Sequence, residues 1–299
     1  MFSRVVAAAL AVIAILTTTP APAGPGPEAV EIPHGENILK AVLYRPEGEG
    51  PFPAVVALHG CEGLHGPNGS VAPLYRDWAE RLNKAGFAVL YPDSYGSRDL
   101  NTPCRNRAVI LRTNRERIGD AAVAREWLQS QPFIKSDRIS LLGWSSGAVT
   151  VLWAVRPSAR ARDAKPDFRS AVAFYPGCTR LEITAWSARI PTLILAAGAD
   201  DWSSAKACEQ MVAGARGRSA HASIVVYPGA HHDFDHPNRP LQVRSGYAFS
   251  VDNSGKVHSG TNSAARADAI RRVTQFLSRS QGPAPDEQHS EREAISPER

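Results

Sequence analysis

One short segment, Gly143-Trp-Ser-Ser-Gly147, constrains the fold of this chain more than any other. An apolar strand-like run enters it from Arg138, and an apolar helix-like run leaves it toward Trp153. A serine on such a tight turn has a strained backbone, and the positions two before and two after it must be almost free of side chains. The pattern therefore predicts a nucleophile elbow, with the Ser145 hydroxyl exposed at the carboxyl end of a strand.

Strand-like and helix-like segments alternate along the rest of the chain. Besides the strand that enters the elbow, we predict strands at 39–45, 53–59, 87–92, 170–175, 191–196 and 222–227, and helices at 72–85, 115–129, 203–214 and 264–278. This alternation predicts an α/β fold, with a mostly parallel central sheet and helices on both faces. The 299 residues show no shift in composition through the middle, so we expect a single domain with its ligand site at the carboxyl ends of the strands.

Polar side chains follow the last two predicted strands. Asp200 and Asp201 come after the next-to-last strand, and His231 and His232 come after the last one. A serine hydroxyl is a weak nucleophile until a base takes its proton, and a carboxylate must orient that base. The chain order serine, acid, histidine is the order found in hydrolases with this elbow. On this pattern either aspartate and either histidine would complete a triad with Ser145.

A serine hydrolase also needs two backbone N–H donors for the oxyanion that forms on the substrate. Ser146, directly after the nucleophile, supplies one of them. The segment His59-Gly-Cys-Glu-Gly63 follows the second predicted strand, where the other donor is required. We predict the Cys61 N–H as that donor, because the two glycines of this segment let the backbone approach a ligand closely.

The chain carries five motifs of a known family. They are His-Gly-Cys-Glu-Gly-Leu64, Tyr-Pro-Asp-Ser94, Gly-Trp-Ser-Ser-Gly147, Asp-Asp-Trp202 and Tyr-Pro-Gly-Ala-His-His-Asp-Phe234. With these motifs the whole mature region resembles a dienelactone hydrolase-type α/β hydrolase. The resemblance implies the α/β-hydrolase fold, with Asp200 as the acid and His232 as the base. Asp201 and His231 then become their neighbours.

The sequence departs from dienelactone hydrolase itself at two positions. That enzyme has a cysteine nucleophile where this chain has Ser145, as esterase-like relatives do. Its glutamate just before the oxyanion residue is replaced here by Gly60. The resemblance therefore implies hydrolysis of an ester or lactone other than dienelactone, without a metal or an organic cofactor.

The first 23 residues have the composition of a secretory signal. Arg4 precedes an apolar run from Val5 to Leu16, and Ala21-Pro-Ala23 is a small-residue cleavage site. The run is too short to span a bilayer, so we predict a cleaved signal rather than a membrane anchor, and export to the periplasm or beyond. The predicted organisation is a signal peptide at 1–23, a hydrolase domain at 24–279 and a disordered tail at 280–299.

Export changes the interpretation of the four cysteines, since thiols in an oxidising compartment tend to pair. Three pairings are possible. In the predicted fold Cys178 follows one strand and Cys208 lies on the helix after the next strand, which makes them neighbours. Cys61 and Cys104 remain for the second bridge, both in loops over the carboxyl edge of the sheet. No cysteine spacing indicates a metal site.

The charge pattern argues against two other classes of partner. The formal net charge is +5, but the excess is not arranged along a helix with interleaved aromatic residues, so we predict no nucleic-acid partner. Histidines and aspartates crowd the segment 231–236 without the spacing of a helical metal motif, so we predict no metal.

Four side chains are predicted to bind substrate. Arg98 and Arg105 lie in a strongly cationic segment that either clamps an anionic substrate or forms a solvated basic face tied to nearby aspartates. Trp144 and Trp202 stand beside the nucleophile and the acid, where they either line the pocket or pack in the core. The Gly-, Ser- and Asn-rich insertion at 237–261, with a strand-like piece at 247–251, is expected to shape or cover the site.

Together these features predict an exported serine hydrolase that cleaves a small-molecule ester or lactone through an acyl-enzyme. A peptidase or an acyltransferase on the same fold would have the same triad, because the triad does not choose the leaving group or the acceptor. A non-catalytic exported binding protein would keep the fold and its pocket without covalent chemistry. Labelling with an activity-based probe separates that class from the enzymes.

Overall fold

A computed structural model of the chain describes residues 26–100, 102–157 and 165–282. The predicted signal peptide and positions 283–299 of the predicted tail lie outside these ranges. The strands are β1 Glu28–His34, β2 Asn37–Tyr44, β3 Phe52–Leu58, β4 Ala88–Pro92, β5 Ile134–Trp144, β6 Ala171–Phe174, β7 Thr192–Ala197, β8 Ala222–Tyr227, β9 Gln242–Arg244 and β10 Val257–Ser259. The α-helices are α1 Pro73–Lys84, α2 Arg107–Gln129, α3 Ser146–Ala154, α4 Thr179–Glu182, α5 Ala205–Gly214 and α6 Ser263–Arg279.

Eight strands form the central sheet in the order β1-β2-β4-β3-β5-β6-β7-β8. The six strands from β4 to β8 in this order pair in parallel, whereas β1 and β2 join antiparallel at one edge. The sheet is therefore mostly parallel, as predicted. Strand β1 was not predicted from the sequence, because only one of its seven residues is buried and it lacks an apolar run. It pairs with β2 through a turn at Gly35.

Helices pack on both faces of the sheet, so the core has two layers. One layer lies between the sheet and helices α2, α3 and α5, and the other lies between the sheet and helices α1 and α6. Strands β3, β6 and β7 are apolar except for Thr192, because both of their faces are buried. No helix in the described ranges is both long and apolar enough to cross a membrane.

Helix α2 begins eight residues before the predicted start at Arg115. Asn106 caps the helix, since its side chain accepts a hydrogen bond from the Val109 N–H at 3.2 Å. The first two turns carry exposed cations, Arg107 and Arg112, and this weakens the apolar period on which the prediction rested. The added turns bring Arg107 and Ile110 to the carboxyl edge of the sheet, where both line a cavity described below.

The insertion at 237–261 contains the short antiparallel pair β9 and β10. The strand-like piece at 247–251 is not a strand, because its backbone bonds to neighbouring loops instead of a sheet. The Ala248 N–H donates to the Cys104 carbonyl at 2.9 Å, and the Val251 N–H donates to the Asp201 carbonyl at 2.7 Å. The insertion is thereby fastened to the loops over the carboxyl ends of the strands.

Two disulfides join the four cysteines in the predicted pairs. Cys61 bonds to Cys104 and Cys178 bonds to Cys208, with Cα atoms 5.0 Å apart in each bridge. The first bridge ties the loop after β3 to the segment before α2, and the second ties the loop after β6 to α5.

Candidate active site

Ser145 stands on the turn between β5 and α3 in a strained conformation, with φ 52° and ψ −116°. The two flanking glycines are required by space. A Cβ at Gly147 would lie 2.1 Å from the Leu58 carbonyl oxygen, and a Cβ at Gly143 would lie 2.6 Å from the Gly147 backbone. No side chain fits at these distances, so the tight elbow and its two glycines depend on each other.

Three side chains from three loops form a continuous hydrogen-bonded chain. His232 Nε2 lies 2.9 Å from Ser145 Oγ, and His232 Nδ1 lies 2.8 Å from Asp200 Oδ2. His232 follows β8 and Asp200 follows β7, so the parallel sheet delivers all three to one edge. Asp201 and His231, the neighbours considered from sequence, are not part of this chain.

The surroundings of Asp200 and His232 favour a base that is oriented and ready to accept a proton. Asp200 Oδ1 accepts hydrogen bonds from the backbone N–H groups of Trp202 at 2.8 Å and Ser203 at 2.9 Å, which fix the carboxylate. Burial by itself would lower the pKa of His232, but the adjacent Asp200 carboxylate outweighs it, and the pKa is raised above its usual value. The Trp202 ring packs against the imidazole with ring centroids 4.4 Å apart.

The backbone beside Ser145 offers two N–H groups for an oxyanion. A Cβ built at Gly60 would lie only 3.5 Å from Ser145 Cβ, so the loop after β3 runs directly past the nucleophile. The Gly60 N–H donates to the Tyr75 hydroxyl at 2.8 Å, which holds this loop in place. Within the described ranges no protein acceptor takes the next N–H, that of Cys61, or the N–H of Ser146. Both are thus available to a ligand.

Arg117 is a further component of the site, and it was not singled out from the sequence because it lies in the same cationic segment as Arg98 and Arg105. Its side chain is fully buried, and its Nη2 donates to the His59 carbonyl at 2.6 Å. Its Nη1 lies 3.4 Å from Ser146 Oγ. The guanidinium therefore contacts both segments whose N–H groups are predicted to bind the oxyanion. Helical spacing could have found it, since Arg117, Asp120, Ala121 and Ala124 share the buried face of α2.

A second buried ionisable side chain, Asp235, bonds to residues that flank Ser145 and His232. Its carboxylate accepts hydrogen bonds from Trp78 Nε1 and Trp144 Nε1, each at 2.8 Å, and from the Tyr175 hydroxyl at 2.7 Å. Burial raises the pKa of Asp235 to about 6, in spite of these three donors. Because Trp144 precedes Ser145 and Tyr175 packs on His232 with ring centroids 4.5 Å apart, this network helps to hold both side chains in place.

Two cavities meet at the nucleophile, and Cys61, Ser145 and Trp202 line both. The first, here called the helix cavity, has a volume of about 770 Å³ and lies against α2, α3, α5 and the insertion. Its apolar side chains include Ile110, Leu111, Ile118, Val149, Trp153 and Phe249. The second, here called the loop cavity, has a volume of about 790 Å³ and lies among the loops after β3, β4 and β8. Its charged side chains include Glu62, Asp93, Asp233, Arg105, Arg239 and Arg244.

The four predicted substrate-binding side chains have different positions. Trp202 lines both cavities and Arg105 lines the loop cavity. Trp144 borders the loop cavity but is almost fully buried. The prediction that Arg98 binds substrate was wrong. Its guanidinium makes two hydrogen bonds to Asp120, at 2.7 and 2.9 Å, and Arg98 lines neither cavity. Of the two alternatives for the cationic segment, a substrate clamp or arginines tied to nearby aspartates, the second therefore applies to Arg98.

One group of side chains has the composition of a metal site. The ligand atoms of Asp201, His231 and His258 lie within 4.8 Å of one another. Both carboxylate oxygens of Asp201 are already used, however, since they bond to the His258 backbone N–H and to its Nδ1, each at 2.7 Å. The Asp201–His258 pair fastens β10 of the insertion to the loop that carries Asp200.

The sheet order, the elbow and the Ser-His-Asp geometry are those of an α/β hydrolase. The sequence profile of the Dienelactone hydrolase family matches residues 39–281. The chain belongs to that family, and it is a hydrolase that acts on carboxylic ester or lactone bonds.

Individual relatives are distant in sequence. A Bradyrhizobium protein named "Probable 2-oxo-3-(5-oxofuran-2-ylidene)propanoate lactonase" is 25% identical over 234 residues, which cover 72% of this chain and 87% of that protein. Esterase 2 of Thermogutta terrifontis has a TM-score of 0.60 at 17% identity, covering 90% of this chain and 100% of its own. A dienelactone hydrolase-like promiscuous phosphotriesterase from metagenomic libraries has a TM-score of 0.60 at 18% identity, covering 86% of this chain and 98% of its own. The two structures share the fold of this chain.

Proposed function

We propose that this protein is an exported serine hydrolase that cleaves a small carboxylic ester or lactone through a covalent acyl-enzyme. The observation that carries the proposal is the contact of His232 with both Ser145 and Asp200, at 2.9 and 2.8 Å. A histidine with a serine on one ring nitrogen and a buried carboxylate on the other is the arrangement that activates a hydroxyl for attack.

The chemistry proceeds in two halves. Ser145 Oγ attacks the ester carbonyl carbon as His232 Nε2 takes its proton, and the negative charge that forms on the carbonyl oxygen is held by the N–H groups of Cys61 and Ser146. The bond to the leaving oxygen then breaks, and this oxygen receives the proton from His232. In the second half water attacks the acyl carbon as His232 accepts its proton. The bond between this carbon and Ser145 Oγ then breaks, and Oγ receives the proton from His232 as the carboxylic acid leaves. Asp200 stabilises the imidazolium in both halves.

We further propose that the substrate carries negative charge. Four cationic side chains, Arg107, Arg115, Arg180 and Lys206, line the helix cavity together with a single carboxylate, Glu182. Within the described ranges none of the four forms an ion pair. A cavity with this excess of one sign attracts the opposite charge to the reacting centre.

Labelling with a fluorophosphonate tests the activated nucleophile. The probe phosphonylates Ser145 when His232 can take its proton, and peptide mass spectrometry identifies the modified residue. Ser145→Ala and His232→Ala should both abolish labelling. The matched control is His231→Ala, which removes the adjacent imidazole outside the triad and should keep it. A folded wild-type protein that stays unlabelled would refute the proposal and favour a binding protein.

Export is supported by the disulfides, which persist in oxidising compartments. Expression of the full chain with its native N-terminus, followed by cell fractionation, tests this. We expect the mature protein outside the cytoplasm, beginning at Gly24 by intact-mass measurement. An uncleaved chain in the cytoplasm, with free thiols, would contradict it.

A further inference from the structure

The position of His232 distinguishes the two cavities chemically. In the acyl-transfer step the oxygen of the leaving alcohol must receive its proton from His232 Nε2, so the alcohol must occupy space beside this nitrogen. His232 lines the loop cavity and does not line the helix cavity. The oxyanion residue Ser146, by contrast, lines the helix cavity. The acyl group therefore has the helix cavity in front of it when the alcohol lies against His232.

The loop cavity is polar and its charges are compensated. Arg239 pairs with Asp233, and Arg244 pairs with Glu62. In the same cavity the His65 ring lies 3.3 Å from Asp93. A wall of paired carboxylates and guanidinium groups presents both acceptors and donors, and has little net charge to attract an ion. It matches a neutral leaving group with several hydroxyls, each of which both donates and accepts.

The helix cavity is apolar close to the nucleophile. Val149 lies one turn after Ser145 on α3, and its N–H donates to the Ser145 carbonyl at 3.0 Å. Ile110, Ile118 and Trp153 continue this surface along α2 and α3, while the cationic side chains on α2 and α5 are exposed to solvent. The volume of about 770 Å³ is within the range of cavities that enclose an extended small molecule.

We infer that the enzyme hydrolyses esters that join an extended acyl group to a neutral polyhydroxylated alcohol, and that this acyl group is apolar next to the ester and anionic at its far end, where the exposed cations of the helix cavity lie. The acyl chain lies in the helix cavity, and the alcohol lies in the loop cavity against His232. This inference rests on the proposed function and assigns a chemical class to each side of the scissile bond.

Two matched substrate series test the assignment. Acetyl, hexanoyl and decanoyl esters of p-nitrophenol share a leaving group, and the acetates of glycerol and hexanol share an acyl group. We expect kcat/KM to rise with acyl length, by about threefold per buried methylene until the cavity is full. Glycerol acetate should exceed hexyl acetate by roughly tenfold, since an apolar alcohol leaves the polar groups of the loop cavity without partners.

A cavity-filling variant links each series to its cavity. Val149→Phe places bulk in the helix cavity, and we expect the decanoyl ester to lose about tenfold in kcat/KM relative to the acetyl ester. The ratio between glycerol acetate and hexyl acetate should stay unchanged. The matched control is Val243→Phe on β9, where the valine is 59% exposed and lines neither cavity. This variant should leave both series as in the wild type.

The possible failures are distinguishable. If Val149→Phe changes the kcat/KM ratio of glycerol acetate to hexyl acetate and leaves the acyl-length series unchanged, the alcohol lies in the helix cavity. That result would overturn the inference. Flat rates in both series, with hydrolysis of p-nitrophenyl acetate still dependent on Ser145, would overturn the inference and leave the proposed function intact. Absence of any Ser145-dependent hydrolysis, together with absence of fluorophosphonate labelling, would overturn both.

Discussion

Arg117 donates a hydrogen bond of 2.6 Å to the carbonyl oxygen of His59, and both side chains are fully buried. No carboxylate forms an ion pair with this guanidinium within the described ranges. Burial, and secondarily the Arg117 charge, hold the pKa of His59 well below its usual value, so His59 stays neutral. A positive charge is thus kept next to the two segments that would stabilise negative charge on the substrate.

This arrangement predicts a positioning role for Arg117. Arg117→Met should lower kcat for p-nitrophenyl acetate by roughly tenfold with little change in KM, less than the loss expected from deleting an oxyanion donor. Arg117→Lys should recover part of kcat, because it restores the charge. Steady-state kinetics check this, with thermal melts to confirm folding. If kcat is unchanged and only the melting temperature falls, the role of Arg117 is purely structural.

From the contacts of His232 with Ser145 and Asp200 we predict how activity falls on the acid side, or acid limb, of the pH profile. Only neutral His232 can take the serine proton, and its pKa is raised, so kcat/KM should fall as pH drops through a value above the usual 6.5. Asp200→Asn removes the carboxylate that raises this pKa. The limb should then move to lower pH, and the plateau should fall by about 10³- to 10⁴-fold. Asp201→Asn is the matched control, and it should leave the pH of the acid limb and the plateau of kcat/KM unchanged. A similar loss of kcat/KM in this variant would instead identify Asp201 as the acid.

We predict that Asp235 lowers the free energy of unfolding as pH rises, whereas most carboxylates in folded proteins raise it. Its pKa is raised to about 6 in the folded protein, so folding favours the protonated form and this stabilisation is lost as pH rises through about 6. Relative to Asp235→Asn, the wild type should lose up to about 3 kcal/mol of unfolding free energy between roughly pH 4 and pH 7. Urea unfolding of both proteins across this range measures the difference. A constant difference would mean that the carboxyl does not titrate differently in the two states.

We predict that removing either disulfide lowers the free energy of unfolding by a similar amount, but that only removal of Cys61–Cys104 strongly lowers kcat. They close loops of 43 and 30 residues, so removing either should cost about 4 kcal/mol on the chain-entropy model. The Cys61→Ala/Cys104→Ala protein should also lose kcat, because this bridge holds the segment with the Cys61 N–H beside Ser145. The Cys178→Ala/Cys208→Ala protein is its control and should keep kcat for p-nitrophenyl acetate more closely. Equal kinetic losses would remove the special role of the first bridge.

Much of the fold and the order of the site residues could be predicted from the sequence. The apolar strands, the alternation with helices and the two elbow glycines depend on local chemistry that is visible in the chain. Helix α2 and the insertion were harder. Exposed arginines interrupt the apolar periodicity in the first turns of α2, so the start of this helix was placed too late. The piece at 247–251 has the composition of a strand, although its backbone bonds to loops. Its partners are far away in sequence, so no local pattern could identify them.

The sequence by itself determined the class of chemistry, because a serine on an elbow, an aspartate and a histidine follow three strands of the sheet in the order that such a hydrolase requires. Tertiary structure decided which polar side chains serve the site and which hold the scaffold. Arg98 is occupied by Asp120, and Arg117 is buried against His59, although both belong to one cationic segment. Whether a charge faces a ligand or a neighbouring side chain depends on distances across the fold, and these arise only when strands and loops remote in sequence pack together.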